Sequence, residues 1–158
     1  MTPELEPASG RFDGPVHRFA IRVYFEDTDL SGVVYHAKYL RWFERARTEM
    51  LRLLGIEQRV VQEAGEGAYA VTELNIRYLV PARLDDALVI ESSAVEIRPA
   101  SCRLVQRAFK RDRLLAEARL RVGFVGADGR PRRQPAAWRQ AFASITAFAS
   151  ITSTENPE

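Results

Sequence analysis

Apolar residues change their period along this chain, and that change sets what it can fold into. From about Tyr35 to Leu54, the residues Tyr39, Phe43, Ala46, Met50 and Leu53 recur every three or four positions, which puts them on one stripe of a helix. Between His17 and Phe25, Phe19, Ile21, Val23 and Phe25 alternate with intervening residues that include Arg18, Arg22 and Tyr24, the pattern of a half-buried strand. Strand-like runs follow the helix at Tyr69 to Leu79, Ala87 to Ile97, Ser101 to Lys110 and Leu114 to Val125. They are separated by PARLDD, RPAS and KRDR and closed by ADGR, whose Asp128-Gly129 pair is a turn signal. One strand, one long helix and a run of antiparallel strands is an α+β order, without the alternation of a parallel sheet. The helix must therefore pack on one face of a mainly antiparallel sheet. Gly55 is placed to end it, and Arg45 with Glu49, four residues on, supports it at the surface.

A chain of 158 residues has room for one core. The expected domain runs over 16–143. Residues 1–15, rich in Pro, Gly and Glu, are expected to be a flexible tail, and residues 144–158 a second one. The six letters AFASIT occur at Ala141 to Thr146 and again at Ala147 to Thr152, and this duplication is expected to lie outside the fold. A formal charge of +2 carries no global field for nucleic acid. Cys102 is the sole cysteine, which forbids an intrachain disulfide and suits a reducing cytoplasm, the expected location. The acidic, proline-containing start is no signal peptide, and no run of about eighteen apolar residues predicts membrane insertion. Two histidines and one cysteine make no obvious zinc set, and no G-x-S-x-G elbow is present.

The chemistry is concentrated in the loop EDTDLSG between the first strand and the helix. Asp27, Asp29, Ser31 and Gly32 match the first half of a calcium loop, but its twelfth position, which requires a bidentate Glu, is Lys38, so no metal is expected. One carboxylate can simply accept backbone N–H bonds near the helix start. Alternatively, an acid, a glycine and the unpaired N–H groups of a helix N-terminus form a site for an oxygen that gains negative charge during reaction, where one donor is worth about 3 kcal/mol. A carboxylate beside that positive helix end stays ionised at neutral pH. An ionised carboxylate is a poor acid, so the leaving group must depart unaided, as a thiolate does and an amine does not.

The stretch RVYFEDTDLSGVVYHAKYLRWFERARTEML closely resembles the signature of the YbgC-like branch of the 4-hydroxybenzoyl-CoA thioesterase family, and RYLVPARLDDALVI is similar to that family's second strand pair. The likeness covers roughly residues 16–142. It implies a hotdog fold, a curved antiparallel sheet wrapped around one long helix, assembled as a homodimer or homotetramer. It implies hydrolysis of acyl-CoA, with CoA as part of the substrate and no separate cofactor. Asp29 takes the family's catalytic role, as general base or as nucleophile, and His36 joins it, its backbone N–H polarising the carbonyl. Gly32, Val33 and Tyr35 are substrate-binding, Tyr35 and the His36 ring lining the acyl pocket. Arg98, Ser101 and Arg103 follow the turn that grips the CoA nucleotide, where an Arg fork suits phosphate. Asp27 shapes the loop, and Glu44 with Arg47 forms a helix pair or a tie to the sheet. Two other roles remain open: a hotdog hydratase, which looks for a His paired with a carboxylate, and a scaffold that docks acyl carrier protein or envelope-maintenance partners.

Overall fold

The computed structural model describes the backbone of residues 4–152 and the side chains of residues 4–146. Six strands form one sheet: β1 (Arg11–Asp13), β2 (Val16–Arg22), β3 (Ala68–Tyr78), β4 (Ala87–Arg98), β5 (Ser101–Lys110) and β6 (Arg113–Val125). Their spatial order is β1-β2-β4-β5-β6-β3, and every pairing is antiparallel. Helix α1 (Lys38–Leu53) lies against β2 and β4, α2 (Gln58–Glu63) touches β3, and α3 (Ala136–Thr152) packs on β4. This is the α+β hotdog arrangement, one long helix against an antiparallel sheet.

The four later strands start and end within about one residue of the expected runs, because alternation is a local property of the sequence. Helix α1 begins three residues later than the expected start at about Tyr35. It buries Tyr39, Trp42, Phe43, Ala46, Met50 and Leu51, each large apolar side chain contributing about 1.5–3 kcal/mol, whereas Leu53 is left exposed. Its end is a Schellman motif: the Ile56 N–H donates to the Leu51 carbonyl, the Gly55 N–H to that of Arg52, and Gly55 has φ +77°.

Three expectations are corrected. Phe25 does not continue β2: the chain turns into a short 3₁₀ segment, Phe25–Asp27, and leaves that ring exposed. Residues 11–13 are not tail but β1, paired as Phe12 with His17 and Arg11 with Arg18. The wholly buried His17 ring sits edge-on to Phe12 and stacks on Phe19. Its Nε2 is 2.8 Å from the Ser9 carbonyl, and burial lowers its pKa below the ordinary histidine value. Finally, 144–152 is not tail but belongs to α3. Trp138, Phe142 and Ile145 are buried in the core, so the first AFASIT copy is part of the fold. The second copy continues the helical backbone, and its side chains lie outside the described residues, as do residues 1–3 and 153–158. Among the described residues no helix is long and apolar enough to cross a membrane.

Candidate active site

The acid loop folds back on itself as a small hairpin. The Asp29 N–H donates to the Val33 carbonyl at 2.9 Å and the Tyr35 N–H to that of Asp27 at 2.9 Å. Thr28 therefore faces Val34 across an isolated bridge. Gly32 takes φ +79° and closes the turn by donating from its N–H to the Asp29 carbonyl. Its absent Cβ would meet nothing within 4 Å, so within this chain the need for glycine is conformational and not one of crowding. The hairpin is held in place by the segment that precedes β4. The Val34 N–H donates to the Ala82 carbonyl, Val33 bridges to Arg83, and the Tyr39 hydroxyl accepts the Ala82 N–H.

The two aspartates have different surroundings. Asp27 is 5% exposed. Its Oδ2 accepts the Tyr24 N–H at 2.8 Å and its Oδ1 lies 3.5 Å from Lys38 Nζ, so the amine of the residue at the twelfth loop position occupies this carboxylate. Asp29 is exposed. Its Oδ1 accepts both the Ser31 N–H, at 2.8 Å, and the Ser31 hydroxyl, while Oδ2 has no hydrogen-bond partner among the described residues. The Ser31 hydroxyl, then the Ser31 and Val33 amides, hold the Asp29 carboxyl below the usual carboxylate pKa. The result is an ionised group with one oxygen anchored and one free.

Helix α1 starts without a side-chain cap. The backbone N–H groups of His36 and Ala37 have no acceptor among the described residues, and these are the groups that a helix entrance leaves as oriented donors. The entrance is pinned by β3, whose Tyr78 hydroxyl donates to the His36 carbonyl at 2.7 Å. The exposed Tyr35 ring packs on the His36 ring with centroids 4.5 Å apart, and His36 meets Tyr78 edge-on at 6.2 Å. Asp29, Gly32, Val33, Tyr35 and His36 thus occupy one continuous loop. Tyr78, which joins them from β3, was not singled out by sequence patterning, since nothing local links it to His36.

Arg98, Ser101 and Arg103 lie elsewhere, at the turn between β4 and β5. Arg98 pairs with Glu96 at 2.9 Å, and Arg103 with Glu96 at 3.3 Å and Glu73 at 3.5 Å. Ser101 is buried. Arg98 lines one surface hollow with Ala136 and Arg139, Arg103 another with Glu73 and Arg119, and neither hollow includes a residue of the acid loop. Arg47 is tied to the sheet, Nη1 donating to Gln106 Oε1 at 2.9 Å. Among the described residues no cluster of three or more His, Cys, Asp or Glu is arranged to hold a metal ion.

Comparison with known proteins places the chain among thioesterase-like proteins. The model of the thioesterase-like superfamily matches residues 23–145. The chain is 45% identical over 107 residues to the acyl-CoA thioesterase YbgC of Haemophilus influenzae, covering 68% of this chain and 79% of that protein. It is 43% identical over 106 residues to the acyl-CoA thioester hydrolase YbgC of Escherichia coli, covering 66% and 78%. Among solved structures it is similar to that of a probable thioesterase from Bartonella henselae, with TM-score 0.73 and 34% identity, covering 76% of this chain and 99% of that one.

Proposed function

The chain belongs to the thioesterase-like superfamily, and from that premise we propose that it hydrolyses acyl-CoA thioesters to free acid and CoA at the loop carrying Asp29. The observation that supports Asp29 as the reacting group is its divided carboxylate: Ser31 holds Oδ1, and Oδ2 is left free at the surface. As general base, that oxygen takes a proton from water while the water oxygen bonds to the thioester carbon. As nucleophile, it bonds to that carbon itself and water later cleaves the anhydride. On either route the carbonyl oxygen gains negative charge, which the free N–H groups of His36 and Ala37 are suited to stabilise. The carbon–sulfur bond then breaks and CoA leaves as a thiolate that needs no acid, consistent with a carboxyl kept ionised. Water is the only co-reactant.

Asp29 is exposed in a single chain, and the same chain leaves β3 uncovered. Val71, Leu74 and Tyr78 stand opposite Val122, Leu120 and Ala116 of β6, partners that are buried, yet the β3 residues are 46%, 39% and 44% exposed. An edge strand with apolar side chains is a template for another strand, and a second copy pairing there as a homodimer would cover it.

The decisive assay is thiol release from a panel of acyl-CoAs by the wild type and by Asp29→Asn. The expected outcome is turnover of at least one thioester and a loss of about a hundredfold or more in kcat for the variant, with its thermal unfolding unchanged. Equal rates would remove Asp29 from the reaction.

A further inference from the structure

Between α1 and β3 lies a partly open cavity of ≈ 270 Å³, one side of which is apolar: Met50, Leu51, Tyr69, Leu104, Val122 and Phe142. Another side is not. Arg47 projects there from α1, half-buried, and spends a single N–H on Gln106 Oε1. Gln106 is itself wholly buried and committed, its Nε2 donating to the Phe43 carbonyl and to Ser92 Oγ, both at 2.9 Å, so it cannot turn to satisfy more of the guanidinium. No carboxylate among the described residues lies within ion-pair distance of Arg47, although Glu44, three residues earlier on α1, lines the same cavity. The nearby Glu44 favours its charge, but desolvation by burial is the larger influence and lowers its pKa from the usual arginine value. A guanidinium stays protonated in a protein, and a desolvated cation without a counter-ion is costly. A planar fork of free N–H donors facing a cavity matches a carboxylate.

The position along α1 is suggestive. Arg47 lies ten residues after Ala37, the N-cap of α1, about 15 Å by helical rise, and helical side chains lean back toward the N-terminus. At one end of β3, Tyr78 bonds to His36 at the helix entrance; at the other, Tyr69, Ala70 and Val71 line the cavity. The cavity lining includes no residue of the acid loop, but an acyl chain whose carbonyl sat at the His36 and Ala37 amides and which followed α1 would point its far end toward Arg47.

We propose that Arg47 is a specificity-determining residue that binds an ω-carboxylate, making medium-chain dicarboxylic acyl-CoAs the preferred substrate class. This rests on the thioesterase function proposed above. The test compares kcat/KM for adipoyl-CoA with hexanoyl-CoA, and suberoyl-CoA with octanoyl-CoA, in the wild type, Arg47→Gln and Arg47→Lys. Glutamine keeps an N–H donor for Gln106 but carries no charge. The wild type should favour the ω-carboxyl member of each pair at least tenfold; Arg47→Gln should abolish that preference through KM, and Arg47→Lys should retain part of it. A wild type that prefers the neutral chains, or a ratio unchanged in Arg47→Gln, overturns the proposal. So does a change in oligomeric state by light scattering at constant ratio, which would mean that the guanidinium meets an acid of a second copy. If no thioester is turned over, the hydrolytic function fails, and calorimetry with free adipate and hexanoate decides this proposal alone. Adipate binding that Arg47→Gln eliminates supports it, and absence of adipate binding to the wild type sinks it. Should Arg47→Gln not fold, the wild-type ratios and the wild-type calorimetry still decide.

Discussion

At the scale of single residues, the acid loop separates two aspartates that look equivalent in D-T-D. Asp27 is buried, its oxygens taken by the Tyr24 N–H and the Lys38 amine, and it builds the loop. Asp29 is solvent-facing with one oxygen free. The sequence separated the two only through the family resemblance, because the Lys38 partner of Asp27 lies a helix entrance away. The largest cause of the low pKa of Asp29 is the Ser31 hydroxyl, which yields a test. A depressed carboxyl stays ionised as pH falls until its own pKa is reached, below the ordinary value of 3.8. In Ser31→Ala the midpoint of the Asp29 carboxyl-carbon titration, followed by NMR, should move upward toward that ordinary value. An unmoved midpoint would show that the backbone amides alone set it.

At the scale of elements, α1 and β3 to β6 were legible because each carries its own period, 3.6 or 2, over ten or more residues. Two others escaped. Strand β1 is three residues long, too short for alternation to register, and it exists because β2 offers it an edge. Helix α3 did carry a signal: Trp138, Phe142 and Ile145 stand at i, i+4 and i+7. The small-residue repeat around them disguised it as low complexity. Strand β3 reads as an ordinary half-buried strand, and only its place at the sheet edge shows its inner face uncovered. If two copies pair there, Val71→Lys with Leu74→Lys should place like charges at the contact and convert a dimer to a monomer in sedimentation, leaving far-UV circular dichroism intact. A double variant that sediments like the wild type would locate any self-association elsewhere.

At the scale of the whole molecule, α3 joins the two ends of the fold. The Phe142 ring meets Tyr69 edge-on with centroids 6.2 Å apart and lines the cavity beside Met50 and Leu51 of α1. Gln134, just before the helix, is buried and accepts the Tyr69 hydroxyl while donating to the Arg98 and Ser101 carbonyls. Phe142→Ala should therefore cost about 3–5 kcal/mol in urea unfolding and enlarge the cavity that Phe142 lines; a loss under about 1 kcal/mol would show that α3 is only loosely attached. The fold class followed from the sequence alone, because periodicity and turn residues are short-range matters; the proposed address of the chemistry came from the acid loop and its family resemblance. Tertiary structure alone decided that Arg47 faces a cavity and bonds to Gln106, that Tyr78 reaches His36, that Arg98 and Arg103 are spent on Glu96 and Glu73, and that α3 completes the core. Those are contacts between residues far apart in sequence, and pairing across such distances is set by how the sheet stacks its strands, which no local pattern encodes.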